Sequence, residues 1–542
     1  MASASAGGGA GGGREWDDWL HASLSGLRSA QLLRTLRPTV PLMSSSEALI
    51  YSADLDAWAQ GRDPAVAHWG HCCTPPPGAL TGLLTGGGPS GGAAAVLQQG
   101  PGAGPGPSLP SPGPLSRLRL FSLNDYLGLG AHPEVAAAAA RAALAAGMGP
   151  RASALVAGYT HCHRQLEEAL AELKGTEDCL LFPTGFAANL SLLTTVAAAA
   201  GAAGSSASPP PGHPPVAVFS DELNHASIID GARLAARGAG GAAGASGQGQ
   251  GGGGGAALHV YRHNDLGHLE ELLSATPPGV RCLVVTDSLF SMDGDFADLR
   301  GLAALKARRP FLLALDEAHA TLVAGERGGG AAEAAGVADQ VDLHIGTLSK
   351  AAGCLGGFAA CTRGFKQLLL NRGRAYVYST ALPLPVVEAA GAALRVAARE
   401  PWRRRHVWSL VERLGRGLGV PALSPVVPLV LGPEGPTLEL AARLLRAGLH
   451  VPPIRPPTVP QGTCRLRVSL SAAHSYADVD ELVGLVRASG VPLLTLPHLQ
   501  DPRAALPGGP GSAGGGEGAV PLSAGELMRA GLGRGAGVQS RL

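Results

Sequence analysis

The sequence predicts an α/β protein in which a large, mainly parallel sheet carries helices on both faces. Between Leu118 and Phe358, short apolar runs alternate with segments of helical periodicity, as expected for a three-layer α/β/α domain. After Thr380 this alternation stops, and helices and strands follow in mixed order. That change indicates a smaller α+β domain in the C-terminal part of the chain.

The strands of the large domain are short apolar runs, which is typical of strands buried on both faces. They are predicted over residues 179–182, 216–220, 281–287, 310–315 and 341–348. Apolar residues at helical spacing predict helices over 16–36, 133–146, 161–173 and 187–196. In the smaller domain, the same criteria predict helices over 385–398, 402–417, 436–447 and 476–489, and strands over 423–431, 449–454 and 464–471.

The order of these elements gives a plan of the domains. The plan has a disordered start (1–13), an N-terminal helical segment (14–74), a Pro/Gly-rich linker or insertion (75–117), the large domain (118–380), the small domain (381–490) and a flexible tail (491–542).

Composition argues against several kinds of partner. The 42 Lys and Arg residues nearly balance the 41 Asp and Glu residues, so neither nucleic acid nor a membrane is expected as a partner. No uninterrupted apolar stretch is long enough to span a bilayer. The eight cysteines lack metal-ligand spacing, which predicts reduced thiols in an intracellular protein and no metal site.

The last three residues, Ser540-Arg541-Leu542, are similar to the Ser-Lys-Leu address that peroxisomal import receptors bind. A flexible tail would leave such a signal accessible. The sequence therefore predicts a peroxisomal location, with the cytosol as the alternative.

Lys350 is the leading candidate for a reactive group. It follows the strand predicted over 341–348 and precedes a glycine-rich run at 351–357, so its stem can carry the amine from a buried strand into a cleft. Burial lowers the pKa of an amine and makes it nucleophilic. The alternative is a solvated lysine at a strand end, and the residues upstream argue against it.

Polar groups follow other predicted strands as well. Asp316 and His319 come directly after the strand at 310–315, at the sheet edge where α/β proteins bind ligands. Asp316 is placed to pair with a cationic ring nitrogen and His319 to donate to a ring oxygen; a loop acid and a capping histidine are the alternatives. Thr184 and Gly185 open a helix, whose free N–H groups and positive dipole end suit a phosphate.

Six motifs occur together in one order. They are Asn124-Asp-Tyr-Leu-Gly-Leu129, Thr184-Gly-Phe-Ala-Ala-Asn189, Asn224-His-Ala-Ser227, Phe290-Ser-Met-Asp-Gly-Asp295, Asp316-Glu-Ala-His319 and Thr347-Leu-Ser-Lys350. By these motifs the chain resembles the α-oxoamine synthase family of fold type I pyridoxal-phosphate transferases, over roughly residues 14–60 and 118–490. The resemblance implies that fold, pyridoxal 5'-phosphate as the cofactor, and a homodimer with active sites at its interface.

The resemblance also implies a role for each candidate residue. Lys350 would hold the cofactor as a Schiff base, and Asp316 would keep its ring nitrogen protonated. His225 would lie against the ring, and His319 would bond the ring oxygen. The residues implied around the phosphate are Thr184, Gly185, Phe186, Ser291, Thr347 and, across the dimer interface, Thr380.

Two further motifs point to a particular reaction. Ile454-Arg-Pro-Pro-Thr-Val-Pro460 and Arg465-Leu-Arg-Val-Ser-Leu-Ser-Ala-Ala-His474 resemble those of family members that act in biotin synthesis. They imply a decarboxylative condensation of L-alanine with a pimeloyl thioester, carried either on coenzyme A or on a carrier protein.

Arg467 is expected to bind the amino-acid carboxylate, because a guanidinium fork matches a planar carboxylate. An interdomain salt bridge is the alternative. The other residues implied at the substrate site are Arg34, Asn124, His225 and Thr458. For Arg34, the alternative is a surface cation on a helix.

Two other functions stay open. A sister enzyme would condense glycine or serine with a different acyl-CoA, and the motif at 454–460 argues against it. A non-catalytic partner subunit of the family would lack the Schiff-base lysine, which is present here as Lys350. Three positions depart from the family pattern: Ala320 replaces a glycine and would be strained at positive φ, Glu317 replaces an aspartate, and Arg151 offers an additional anion contact.

Overall fold

The computed structural model describes residues 11–29, 39–42, 44, 46–60, 115–202, 214–237 and 256–506. Arg34 and Ser540-Arg541-Leu542 lie outside these residues, so the predictions made for them stay predictions. Among the described helices, none combines the length and the apolar character that crossing a bilayer requires.

Contacts divide the chain into two units. The first comprises Met1–Val40 and Leu49–Ser116, and the second comprises Pro41–Ala48 and Arg117–Leu542. The described elements up to residue 120 are α1 (Gly11–Ser29), β1 (Val40–Pro41), β2 (Glu47–Tyr51), α2 (Ser52–Ala59) and β3 (Leu115–Leu120). The predictions of disorder up to residue 13 and of a linker up to residue 117 are therefore too long. Once a helix has formed, each residue added to its end gains one hydrogen bond, so α1 begins before residue 13. Strand β3 forms before residue 117 because its backbone pairs with a strand further along the chain.

The large domain is built on a seven-stranded sheet in the order β4-β10-β9-β8-β7-β5-β6. Its strands are β4 (Asp178–Phe182), β5 (Val216–Asp221), β6 (Ala257–Tyr261), β7 (Arg281–Asp287), β8 (Leu312–Asp316), β9 (Leu343–Thr347) and β10 (Gly357–Cys361). Of these strands, only β10 runs antiparallel to its neighbours. The predicted mainly parallel sheet is confirmed.

Both faces of this sheet are covered. On β4, Cys179 and Leu181 pack into one cluster of buried side chains, while Leu180 and Phe182 pack into another. Because successive side chains on a strand point to opposite faces, the two clusters lie on opposite sides. The helices of the domain are α3 (Pro133–Ala146), α4 (His161–Lys174), α5 (Gly185–Ala202), α6 (Ala226–Ala236), α7 (Leu266–Ala275), α8 (Leu299–Arg308), α9 (Ala331–Ala335), α10 (Arg363–Arg372) and α11 (Arg374–Val377).

Local signals set the ends of these helices. The Thr160 hydroxyl accepts a hydrogen bond from the backbone N–H of His163 and caps α4, which ends before Gly175 at a φ of 70°. Helix α3 begins with Pro133 at its first position, where the missing N–H is not needed, and ends before Gly147. Both helices match their predicted ranges to within one residue.

The smaller domain has a three-stranded sheet in the order β11-β14-β13. Its elements are α12 (Leu384–Arg399), α13 (Trp402–Leu418), β11 (Val426–Gly432), α14 (Glu434–Arg446), β12 (Leu449–His450), β13 (Pro453–Ile454), β14 (Cys464–Ser469) and α15 (Tyr476–Ala488). The prediction of one strand over 449–454 is wrong. Pro452 and Pro453 cannot donate to a ladder, so β12 and β13 are separate, and β12 pairs with β3.

Residues 491–506 continue the fold, although the sequence predicts a flexible tail from 491. The backbone N–H of Leu494 donates to the carbonyl of Val430 at 2.8 Å, and that of Phe296 donates to the carbonyl of Ala504 at 2.8 Å. The prediction is wrong for these residues because several of their apolar side chains are buried against the folded chain.

A buried ionic network joins α4 to the end of β8. The Glu317 carboxylate accepts a hydrogen bond from Lys174 Nζ at 2.8 Å and lies 2.9 Å from Nδ1 of His344, all three side chains being buried. Burial alone would raise the pKa of Glu317, but Lys174 and His344 outweigh it and lower the pKa to about 2. Glu317 is therefore ionised in the folded protein, and its role in this buried network is structural.

We expect Glu317→Gln to lower the free energy of unfolding by roughly 3–5 kcal/mol near neutral pH, because Lys174 would keep a buried charge without its partner. The folded-state pKa lies below the ordinary value of 4.5, so the pair stabilises fully above that pH. Its contribution is lost as the pH falls toward about 2. Urea unfolding across this range measures the effect, with Glu168→Gln, which breaks an exposed pair with Arg164, as the control. Equal stability of the two variants would contradict the prediction.

Candidate active site

The carboxyl ends of the parallel strands bring the predicted polar residues together. Asp287 ends β7 and Asp316 ends β8, and the two are paired neighbours in the sheet register. Thr347 ends β9 on the other side of β8, and Lys350 follows three residues later. Parallel strands end at one edge of a sheet, where α/β proteins bind their ligands. The chain therefore forms a crevice with an amine and two carboxylates at its base.

The Lys350 amine lies partly buried in this crevice. Burial lowers its pKa to about 8, opposed by the negative charges of Asp316 and Asp287 and assisted by the positive charge of Arg467. A lysine with this pKa is neutral in a large fraction of molecules slightly above neutral pH, whereas a solvated lysine is not. The geometry thus gives Lys350 the nucleophilic amine that its sequence position predicts.

The Asp316 carboxylate is held by two hydrogen bonds. Its Oδ2 accepts from Nδ2 of Asn189 at 2.6 Å, and its Oδ1 accepts from the backbone N–H of Ala318 at 2.8 Å. The same Asn189 amide donates to the Ser227 hydroxyl at 2.9 Å. Asn189 has no assigned role in the sequence prediction, although it lies in one of the six motifs. The feature that could have identified it is a large polar side chain on a mainly apolar helix, α5.

His225 caps α6 from the crevice. The ring Nδ1 of His225 accepts from the backbone N–H of Ser227 at 3.2 Å and lies 2.7 Å from the Ser227 hydroxyl. The backbone N–H of His225 donates to Oδ2 of Asp287 at 2.9 Å. The side chain is exposed, yet the atoms around the ring remove enough water to lower its pKa, against the opposing charge of Asp316. A neutral imidazole with one exposed face suits stacking on a planar ring.

Asp287 is a second acid that the sequence prediction leaves without a role. It is buried, and burial raises its pKa strongly, as does the neighbouring charge of Asp316. Its backbone N–H donates to Oδ1 of Asn224 at 2.8 Å. The feature that identifies Asp287 is its pairing with Asp316 in the sheet register, and this pairing is known only when the strands are aligned.

His319 begins a chain of polar contacts that crosses to the small domain. Its Nδ1 lies 2.6 Å from the Tyr126 hydroxyl, which donates to Oδ1 of Asn124 at 3.2 Å. The same Asn124 oxygen accepts from Nη1 and Nη2 of Arg467 at 3.2 and 3.3 Å. Burial, followed by the charge of Lys350, lowers the pKa of His319 well below its usual value, so the ring is neutral.

The two arginines of β14 have different partners. Arg465 forms a buried ion pair with Asp293. Arg467 is also buried, but its hydrogen bonds go to neutral oxygens: the Ser291 carbonyl at 2.5 Å, Asn124, and the Ser469 hydroxyl at 3.1 Å. A buried guanidinium surrounded by neutral acceptors still attracts an anion strongly. Arg465 therefore forms the interdomain salt bridge that was the alternative role for these arginines, and Arg467 is the candidate for binding an anion.

The start of α5 lies beside the end of β9. A Cβ placed on Gly185 would lie 3.3 Å from Cβ of Thr347, and the Thr184 hydroxyl accepts from the backbone N–H of Ala187 at 3.0 Å. The first turn of a helix leaves N–H groups without helical partners, so they are available to a phosphate. Phe186 is 43% exposed at the same helix start. These residues fit the phosphate end of pyridoxal phosphate, with Lys350 and Asp316 at its ring.

Other predicted site residues lie elsewhere. The Ser291 carbonyl accepts a hydrogen bond from Nε of Arg467 at 2.5 Å. Thr458 is exposed in a turn, where its backbone N–H donates to the carbonyl of Arg455 at 3.1 Å. Thr380 is also exposed, and pairs with Ser153 in an isolated β-bridge. Their proposed roles stay predictions.

The departures from the family pattern have simple structural outcomes. Ala320 is fully buried, and the positive φ in this stretch belongs to Leu322, so the strain considered for Ala320 does not arise. Arg151 has a φ of 64°, and its Nη2 donates to the carbonyl of Ala146 at 3.1 Å. Its side chain thus has a partner at the end of α3.

Known proteins match both the sequence and this geometry. A family model for aminotransferase class I and II matches residues 118–239 and 252–486. An 8-amino-7-oxononanoate synthase from Arabidopsis thaliana is 48% identical over 371 residues, which is 68% of this chain and 74% of the relative. A serine palmitoyltransferase structure from Sphingomonas wittichii is 31% identical with a TM-score of 0.61, covering 70% of this chain and 89% of its own. An SPT structure with PLP is 29% identical with a TM-score of 0.61, and the match covers 69% of this chain and 88% of the other chain.

The family model spans the whole sheet and most of the small domain, including every strand end that contributes to the crevice. The cofactor of this group of enzymes is pyridoxal phosphate, and the crevice holds a partly buried lysine with a lowered pKa, two carboxylates and the start of a helix. The chain therefore belongs to the α-oxoamine synthase family, the fold type I pyridoxal-phosphate-dependent acyltransferases that include the 8-amino-7-oxononanoate synthases.

Proposed function

We propose that this protein condenses L-alanine with a pimeloyl thioester, releasing carbon dioxide and the free thiol, to give 8-amino-7-oxononanoate for biotin synthesis. The observation that carries the proposal is Arg467, a buried guanidinium with neutral partners, close enough to Lys350 to lower its pKa. An amino acid bound by its carboxylate at Arg467 would present its α-carbon to the Lys350 amine. The likeness to the Arabidopsis thaliana synthase supports the choice of substrates.

The residues of the crevice divide the chemistry between them. Bound pyridoxal phosphate supplies an electron sink for negative charge at the α-carbon. Lys350 would hold the cofactor, and its Nζ, once free, would accept the α-proton of the bound amino acid. Asp316, fixed by Asn189, keeps a proton on the ring nitrogen, because a carboxylate and a cation stabilise each other's charged forms.

The two histidines orient the reactants. The exposed face of His225 would pack on the cofactor ring and exclude water from it, while its Nδ1 is already engaged by Ser227. His319, kept neutral by burial, would contact the ring oxygen and is itself fixed by Tyr126. Arg467 holds the carboxylate while the acyl group arrives, so that the new carbon–carbon bond forms at a fixed α-carbon.

A product assay tests this function. The purified protein is incubated with pyridoxal phosphate, L-alanine and pimeloyl-CoA, and 8-amino-7-oxononanoate is measured by mass spectrometry together with the released thiol. Product from L-alanine, with no thiol released when glycine or L-serine replaces it, supports the proposal. Replacing pimeloyl-CoA by a pimeloyl-carrier protein identifies the natural thioester.

A sister activity is the second candidate, favoured by the serine palmitoyltransferase structure at 31% identity. It predicts turnover of glycine or L-serine with another acyl-CoA, and none of L-alanine with a pimeloyl thioester. The same assay with acetyl-, succinyl- and palmitoyl-CoA separates the two candidates.

We also propose that two copies of the chain share each active site. Around Thr380 the surface carries exposed apolar side chains: Leu155 is 46% exposed, Val156 is 80% exposed and Tyr378 is 74% exposed. The isolated bridge between Thr380 and Ser153 places Thr380 beside the segment that bears Leu155 and Val156. A second copy would cover these side chains and bring Thr380 to the phosphate of its partner.

Mixing two impaired variants tests this arrangement. Lys350→Ala and Thr380→Ala are each expected to be impaired, the first almost completely. If Thr380 acts across the interface, dimers that contain one chain of each kind have one intact site, and the mixture recovers up to about a quarter of wild-type activity. Recovery should follow co-refolding and not simple mixing of stable dimers. A mixture no more active than its components would refute the shared site.

A further inference from the structure

Residues 491–506 form a segment that we call the C-terminal strap. The match to the family model ends at residue 486, yet the strap is part of the folded protein. At one point Leu494 forms an antiparallel bridge with Val430 of β11, its N–H donating to the carbonyl at 2.8 Å. Further along, the carbonyl of Ala504 accepts from the N–H of Phe296 in the large domain at 2.8 Å. The strap therefore connects the small sheet to the loop that follows β7.

The strap also places a histidine on that loop. Nε2 of His498 lies 3.0 Å from Oδ2 of Asp293, at ion-pair distance but without the alignment of a hydrogen bond, and the Asp293 side chain is 8% exposed. The other oxygen of Asp293 pairs with Arg465. Although burial would raise the pKa of Asp293, His498 and Arg465 together lower it. The Asp293 carboxylate is thus held between a cation of β14 and the histidine of the strap.

Asp293 belongs to a tight turn that contacts both arginines of β14. The turn is closed by the N–H of Gly294, which donates to the carbonyl of Phe290 at 2.8 Å. A Cβ on Gly294 would lie 1.9 Å from the carbonyl oxygen of Val426, so the turn packs directly on β11. Within it, the Ser291 carbonyl accepts from Nε of Arg467 at 2.5 Å. A displacement of Asp293 would therefore move the main acceptor that orients Arg467.

We propose that the C-terminal strap is a positioning element for the active site, in which His498 holds the 290–295 turn through Asp293 and so fixes Arg467 for the amino-acid carboxylate. The inference rests on the proposed function of Arg467. His498 does not touch the reactants, so it acts on substrate affinity and not on the chemical step.

The test uses His498→Ala in the full-length protein loaded with pyridoxal phosphate. Affinity for L-alanine is read from the change in cofactor absorbance on titration, without the acyl substrate, and kcat and KM are measured separately. We expect the Kd and KM for L-alanine to rise about tenfold, the loss of one charge-assisted contact, with kcat nearly unchanged. His498→Gln, which keeps a donor, should recover most of the affinity. His161→Ala, at an exposed histidine that starts α4, is the control.

A matched pair of truncations tests the strap as a whole. A chain that ends at Leu506 keeps the strap and should bind L-alanine like the full chain, whereas a chain that ends at Gly490 should show at least the defect of His498→Ala. If the shorter chain fails to fold, the two point variants still decide the question.

Two results would overturn the inference. One is an unchanged Kd for L-alanine in His498→Ala; if the Tm falls at the same time, the role of His498 is structural alone. The other concerns His263, Asp295 and His498, each of which offers one metal-ligand atom, and these three atoms lie within 4.8 Å of one another. If treatment with EDTA lowered the affinity for L-alanine and zinc restored it, a bound metal ion, and not the contact between His498 and Asp293, would hold the turn in place.

Failure of the proposed function gives a different pattern. A wild-type protein that binds L-alanine but makes no product refutes the acyl substrate and leaves the His498 comparison valid. A wild-type protein that binds only glycine or L-serine refutes L-alanine, and the same titration is then carried out with that amino acid, because Arg467 recognises the carboxylate common to all three.

Discussion

Replacement of Lys350 by alanine should lower kcat by roughly a thousandfold or more, because one amine both attaches the cofactor and accepts the α-proton. The structure gives the physical basis: burial lowers the pKa of Lys350 to about 8, so that the reactive neutral form is populated near neutral pH. Purified wild-type protein should carry covalently attached cofactor that resists dialysis. The variant should carry cofactor that dialysis removes.

Lys306→Ala is the matched control for this experiment. Lys306 donates to Asp342 and to the carbonyl of Gln340, at the opposite edge of the sheet from Lys350. Its loss should leave cofactor attachment and kcat close to wild type. Full activity in Lys350→Ala, or equal losses in the two variants, would contradict the assignment of the reactive lysine.

Replacement of Arg467 by lysine should raise the KM for L-alanine by about 30- to 100-fold, although the positive charge is retained. A guanidinium donates through several N–H groups in a fixed fork, and an ammonium group cannot reproduce two parallel bonds to a carboxylate. Lysine would also lose the contacts to Ser291 and Asn124 that orient the side chain. Since the carboxylate is bound both before and during the reaction, kcat should fall less than KM rises.

Two comparisons sharpen the interpretation of Arg467→Lys. Arg413→Lys changes an exposed arginine that pairs with Asp480, and should leave both constants unchanged. Titration of Arg467→Lys with pyridoxal phosphate should give a cofactor affinity near wild type, because the proposed phosphate and ring contacts lie on other residues. A normal KM for L-alanine in this variant would show that the carboxylate is bound elsewhere.

Much of the fold follows from local patterns. The apolar runs that predict β5, β7, β8 and β9 end within one or two residues of the observed strands, because a buried strand needs continuous apolar side chains and stops where polar groups begin. The prediction fails at 449–454, where prolines interrupt the ladder, and at 491–506, where composition suggests flexibility but tertiary packing orders the chain.

The sequence by itself determines the residues at the strand ends. Asp316 and Lys350 reach the crevice because parallel strands terminate at one edge, and that follows from the alternation of strands and helices. The sequence also contains the helix start at Thr184, since a turn before an apolar helix leaves backbone donors free. Motif resemblance supplies the cofactor and the reaction expected of them.

Only the tertiary structure decides which polar groups pair with each other. It places Asp287 beside Asp316, joins Asn189 to Asp316 and Ser227, and gives Arg465 an acid while leaving Arg467 among neutral oxygens. These contacts join residues that are far apart in the sequence, and no local pattern contains that information. The charge state of a side chain depends on its burial and on its neighbours, so the chemical difference between two arginines one residue apart appears only when the chain is folded.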